Sequence, residues 1–143
     1  MRKIILFFTL LALLGLAACT GEGISGSISG SSVNMYANDA GGTVDASYNE
    51  IKGTYPETFE ASIYNDDFVN VTLTASVETG RLRVYLKQPD DTTVELSLSP
   101  GESGSLSGLA EVWADETFRV YLDAVDGIAE GVTLQLEFSY EAP

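Results

Sequence analysis

Few side chains in this 143-residue chain are of types that do chemistry, and their spacing narrows what they can do. There is no histidine and one cysteine, Cys19. Without imidazole, the commonest general base and metal ligand is missing. A single cysteine cannot close a disulfide within the chain. A nucleophilic serine would need a lysine as its base. Beyond Lys3 the chain has only Lys52 and Lys87, both near turns among polar neighbours, where a solvated lysine is the ordinary state. No catalytic residue emerges, and the expected role is non-enzymatic.

Carboxylates are plentiful: 21 acidic residues against 7 basic ones give a formal charge of −14. Such a surface repels phosphate polymers, so no nucleic-acid partner is expected. Acids stand side by side at Asp66-Asp67, Asp90-Asp91 and Asp115-Glu116. Calcium takes about six to eight oxygens, and loop acids with nearby carbonyls are the kind of donor it prefers. Asp90 and Asp91, at a hairpin tip, are the leading but weak metal candidates. No Asp-x-Asp-x-Asp-Gly loop occurs, and paired acids in so acidic a chain are expected as solvated turn residues. Neither a metal nor any other non-covalent cofactor is therefore expected.

The cations are distributed less evenly. Arg81, Arg83, Lys87 and Arg119 fall at outward strand positions beside Tyr85 and Tyr121. The tetrad Arg83-Val84-Tyr85-Leu86 returns as Arg119-Val120-Tyr121-Leu122, without matching flanks. If those two strands are neighbours, Arg83, Tyr85, Arg119 and Tyr121 form a patch that could bind a glycan or an acidic protein by stacking and bidentate hydrogen bonds. The same positions also allow cross-strand pairing with Glu95, Glu137 or Asp123, which would merely stabilise the sheet. Trp113 lies in a loop-like stretch, Glu111 to Asp115, where it either plugs the end of the fold or projects to stack on sugar.

The start of the chain reads as an address. Arg2 and Lys3 precede fifteen uncharged residues, Ile4 to Ala18. A short basic region and then an apolar one is the layout of a secretory signal. The run is shorter than the roughly 20 apolar residues of a spanning helix. It ends in Leu16-Ala17-Ala18-Cys19, which resembles the lipobox of bacterial lipoproteins. An ordinary signal followed by a chance cysteine is the alternative. The resemblance covers the first nineteen residues. It implies diacylglycerol on the Cys19 sulfur, cleavage before that residue, and a further acyl chain such as palmitate on the new N-terminus. Buried methylenes contribute about 0.8 kcal/mol each, so two or three chains anchor a protein where one does not. Thr20 rather than aspartate follows, which in enteric bacteria favours the outer membrane. The expected location is the bacterial cell envelope, at the outer membrane or cell surface depending on the host. Taking 18 residues from 143 leaves 125, and loss of Arg2 and Lys3 moves the charge from −14 to −16.

Thr20 to Ser32 is dominated by glycine and serine, the composition of a flexible coil. It is expected to tether the lipidated cysteine to a folded domain over residues 33–143. A first edge strand carried by Ile24, Ile28 and Val33 is the competing reading. From Thr43 onward the period is two. Apolar residues alternate with polar ones at Val44–Tyr48, Phe59–Ile63, Val69–Val77, Leu82–Leu86, Val94–Leu98, Phe118–Ala124 and Val132–Tyr140. This is the pattern of half-buried antiparallel strands. Gly80 suits a tight hairpin, and Pro89-Asp90-Asp91 and Pro100-Gly101-Glu102 are turn tripeptides. Asp126-Gly127 and Glu130-Gly131 are expected to separate the last two strands. The expected fold is all-β, an antiparallel β-sandwich with jelly-roll or Greek-key connections.

Gly80 to Leu86 followed by Pro89-Asp90-Asp91 is similar to a strand and turn of the bacterial pre-peptidase C-terminal domain, and 117–121 and 132–136 are similar to its last two strands. The likeness spans roughly residues 69–140 and implies a β-sandwich that serves secreted enzymes as an accessory module. Where that family has two aspartates this chain has Arg81 and Arg83, and Asp91 stands where its turn has glycine. A calcium role carried by those acids therefore does not transfer. The expected function is a membrane-anchored, non-catalytic binding or structural module at the envelope. Its expected partners are the membrane, through the anchor, and a protein. Carbohydrate binding through Tyr85, Tyr121, Trp113 and the arginines is the alternative.

Overall fold

The computed structural model describes residues 25–61 and 68–140. The signal, Cys19, and the expected continuation of a strand through Ser62 and Ile63 lie outside the described residues. Seven strands are present: β1 (Ser27–Asn38), β2 (Gly41–Glu60), β3 (Phe68–Ser76), β4 (Leu82–Lys87), β5 (Thr93–Leu98), β6 (Ser103–Glu111) and β7 (Thr117–Ser139). All their pairings are antiparallel.

The strands form a sandwich because two of them are long enough to serve both layers. The first part of β2 pairs with β1 and with the end of β7, while its last part, from Thr54, pairs with the start of β7. The register shifts between Lys52 and Thr54, at Gly53, whose φ is +62°. β7 turns near the same level, where Gly127 has φ +96° and Gly131 φ +60°. Glycine takes these angles without the Cβ clash that penalises other residues. Layer A thus runs β1, β2, β7, β3, β6. Layer B runs from the far part of β2 through the start of β7 to β4 and β5.

Alternation along each strand fills the space between the layers. Val69, Val71, Leu73 and Ala75 of β3, Leu82, Val84 and Leu86 of β4, and Phe118, Val120 and Leu122 of β7 are all buried. Phe118 joins the layers: its ring lies 5.5 Å from that of Phe59 and 5.1 Å from that of Phe138. Among the described residues, no charged or polar residue is fully buried apart from the core tyrosine, Tyr48.

The structure departs from the sequence expectations in four places. Residues 27–32, expected in the tether, belong to β1, an edge strand that includes Ile28 and Val33, while Ile24 and the start of the expected tether lie outside the described residues. The reason is the edge of β2, whose backbone partners outweigh the cost of glycine and serine in a strand. The separation expected at Asp126-Gly127 and Glu130-Gly131 is a bend within one strand. Gly80 has the expected positive φ, +76°, but no hairpin forms: β3 and β4 belong to different layers, and the link bridges Thr79 to Glu130 of β7. Strand β6 has no clear apolar alternation. Two of its positions facing the other layer are Gly104 and Gly108, set against Leu96 and Leu98, and against Leu86 and Val94. A Cβ on Gly104 would meet Leu96 Cδ1 at 2.8 Å, and one on Gly108 would meet Gln88 Nε2 at 2.8 Å.

Candidate functional site

The repeated tetrad meets itself. β4 and β7 are antiparallel neighbours in layer B, and their register sets Tyr85 opposite Tyr121. Residues directly opposite share a face, and here it is the outward one, since Val84 and Leu122 alternate into the core. The two tyrosine rings stack at 4.8 Å with 8° between their planes. The Arg83 guanidinium lies 5.0 Å from the Tyr85 centroid, and Lys87 Nζ lies 5.0 Å from that of Tyr121. Burial raises the Tyr85 hydroxyl above its ordinary pKa, so the phenol stays neutral.

Arg83 has a second task. It donates toward Asp123 at 3.0 Å and sits 3.7 Å from Glu95 on the other neighbouring strand. Thr54 donates to the same aspartate at 2.9 Å. Two of the three acids considered for cross-strand pairing are therefore used, and Glu137, in layer A opposite Thr72, is not. Arg81 is held by Asp126 through two hydrogen bonds, 2.8 and 2.6 Å. These raise the guanidinium pKa and lower that of the carboxyl.

Trp113 does not plug the core. It occupies the turn between β6 and β7, closed by bonds from its own N–H to Thr117 (2.7 Å) and from the Glu116 N–H to its carbonyl (2.9 Å). The side chain is 40% exposed, and the Arg119 guanidinium lies over it at 3.9 Å. Arg119 is two residues before Tyr121 on β7, on the same face. All five expected binding residues, Arg83, Tyr85, Arg119, Tyr121 and Trp113, thus fall on or beside the outer face of layer B, in two groups of contacts, Arg83–Tyr85–Tyr121 and Arg119–Trp113.

Asp90 and Asp91 serve the turn between β4 and β5. Asp90 Oδ1 accepts from the Thr92 N–H at 3.1 Å and from its hydroxyl at 2.6 Å, and these bonds lower the carboxyl pKa. Asp91 has φ +64°, a conformation aspartate tolerates. Among the described residues no group of three or more His, Cys, Asp or Glu converges on one point.

Three features gave no signal in the sequence. Glu57 points inward from β2 toward Tyr48. Its Oε2 and the Tyr48 hydroxyl are both shut off from solvent and interact with each other. Burial raises both pKa values, and for Tyr48 the nearby Glu57 charge adds to it. On the outside of layer A an open cleft of about 410 Å³ lies among Tyr36, Asn38, Asn70, Thr72 and Glu137, which come from three strands, β1, β3 and β7. Along β1, Val33, Met35 and Tyr36 are exposed.

No protein-family model matches the chain, and no curated protein matches it in sequence. Among solved structures, the cupin domain of Drosophila melanogaster CENP-C is similar with a TM-score of 0.35 and 13% identity, covering 73% of this chain and 70% of that one. A carbohydrate-binding module from Cellvibrio mixtus lichenase 5A, in complex with cellotriose, gives 0.33 and 12%, covering 81% and 91%. Peruvianin-I, a cysteine peptidase from Thevetia peruviana latex, gives 0.37 and 11%, covering 79% and 67%. At these scores and identities the likenesses bring no residue's role to this chain.

Proposed function

We propose that this chain is an exported, lipid-anchored, non-catalytic module that binds a protein partner at the cell envelope through the outer face of layer B. The observation that carries the reading is that Trp113, Arg119, Tyr121, Tyr85 and Arg83 lie on or beside the outer face of one layer. Tryptophan, tyrosine and arginine are the residues that dominate interface energetics. The outer face of a sheet suits a protein better than a small ligand, which prefers a concavity. The side chains are already held by one another, so little rotamer freedom remains to be lost on binding. Four of the chain's seven basic residues, Arg81, Arg83, Lys87 and Arg119, also lie on or beside this face. The anchor is supported by the order of Arg2, Lys3, the apolar run and Leu16-Ala17-Ala18-Cys19. The absence of histidine supports a role without catalysis, as does Lys52, paired with Glu50 at 2.7 Å.

A glycan is the second reading, favoured by Trp113, which is 40% exposed although the Arg119 guanidinium lies over one face of its ring. Tyr85 and Tyr121 favour it less, because each ring already carries the other ring and a cation. A photo-crosslinking residue at position 87, with one at 135 on layer A as control, separates the readings in whole cells. The protein reading expects a discrete adduct from position 87 only, and equal labelling from both positions overturns it. Binding on a glycan array that Trp113→Ala abolishes would establish the second reading instead. Membrane fractionation tests the anchor: Cys19→Ser is expected to block processing or release the chain. Normal processing without added lipid mass would remove the anchor and leave the binding face to be judged separately.

A further inference from the structure

β1 is an unguarded sheet edge. Natural proteins protect such edges with charge or proline, since an unpaired row of N–H and C=O groups is a template for another strand. Ser27–Asn38 contains no charged residue and no proline, in a chain with 21 acids. Among the described residues, β1 is the outermost strand of layer A and pairs only with β2. Val33 lies opposite Ala46 and Met35 opposite Val44. Both partners are buried, so Val33 and Met35 are on the core side. They are nevertheless 43% and 37% exposed.

We propose that a second copy of this chain covers this edge, its β1 lying antiparallel to the first about a two-fold axis at Asn34, so that the two A layers become one sheet. The strand is its own complement in this register. Val33 of each copy faces Met35 of the other on the core side, Ser32 faces Tyr36 on the outside, and the two Asn34 amides meet on the axis. Moving the axis to Val33 sets Met35 against Ser31, and moving it to Met35 sets Val33 against Ala37. A slip of one residue would put the apolar side chains on opposite faces. The backbone agrees: Gly30, with φ +58°, and Asn38, at the turn into β2, bound the stretch whose midpoint is Asn34. Charge selects the place of contact. Two acidic bodies repel, and a neutral strand is where they can approach most closely.

Asn34→Cys in the full chain, expressed in cells and exposed to a mild oxidant, tests the proposal. Facing residues of an antiparallel pair have Cα atoms about 4.5–5.5 Å apart, within the span of a disulfide. A cross-linked species of twice the chain's mass is expected, at least ten-fold above the wild-type chain, which carries only Cys19, and above Gln135→Cys on central strand β7. Adding Met35→Lys to Asn34→Cys is expected to remove it, and raising the salt concentration to increase it. No excess over the two controls overturns the proposal. So does persistence with Met35→Lys, or a cross-link to a protein of different mass.

Discussion

The ring pair on layer B makes a prediction whose size follows from its geometry. Tyr85 and Tyr121 are to be replaced by alanine, singly and together. Stacked rings 4.8 Å apart contribute about 0.5–1.5 kcal/mol beyond their burial. Each single substitution also removes a cation over the ring, Arg83 for Tyr85 and Lys87 for Tyr121, with about 0.5–1 kcal/mol attached to each at a partly exposed site. Each single variant should therefore lose about 1–2.5 kcal/mol, before any change in apolar burial. The cation contacts are private to each ring and cancel in the cycle, so the coupling should be the stack alone, about 1 kcal/mol. Urea unfolding at constant slope measures it, and in a thermal scan it corresponds to roughly 4 °C for a domain of this size. The coupling is between neutral rings and should survive high salt, whereas the Arg83–Asp123 contribution should shrink. Additive single variants, with a coupling below about 0.3 kcal/mol, would mean that the rings do not stack in solution. The pre-ordered binding face would then lose its basis.

Three further outcomes test the interior. Glu57→Gln is expected to stabilise the protein at neutral pH. The buried carboxyl has a raised pKa, so the folded state favours its protonated form. That stability is fully present below the unfolded carboxylate pKa and is lost as pH rises through the folded one. The gain should therefore vanish in acid, and a gain independent of pH in urea titrations would refute the argument. Phe118→Ala removes the ring that joins Phe59 to Phe138 and should cost about 3–5 kcal/mol in the same assay. Gly104→Val places a Cβ 2.8 Å from Leu96 Cδ1, and overpacking should cost about 1–3 kcal/mol. Unchanged stability there would show that β6 and β5 are not in contact.

Much of the architecture was legible in the residues. Strands β3, β4 and β5 and both halves of β7 announced themselves by alternation, because a half-buried strand must divide its side chains between core and water. Two strands hid for opposite reasons. β6 has glycine at two of its inner positions, 104 and 108, where Leu96 and Gln88 approach closely, so only Leu106 and Ala110 mark its buried face. β1 has no buried residue, so no alternation was required of it.

The sequence by itself determined the class of the fold, the acidity, the exclusion of imidazole chemistry and the set of five side chains worth watching. Those are properties of composition and local period, which a chain carries before it folds. Only the tertiary structure decided that Tyr85 faces Tyr121, that Arg83 is shared between Asp123 and Glu95, that Trp113 stands outside beneath Arg119, and that Val33 and Met35 are exposed on an edge strand. Each of these depends on which distant strands become neighbours and in what register. That is set by the bends in β2 and β7 at Gly53, Gly127 and Gly131, where an alternating pattern marks a face but cannot name the strand that will share it.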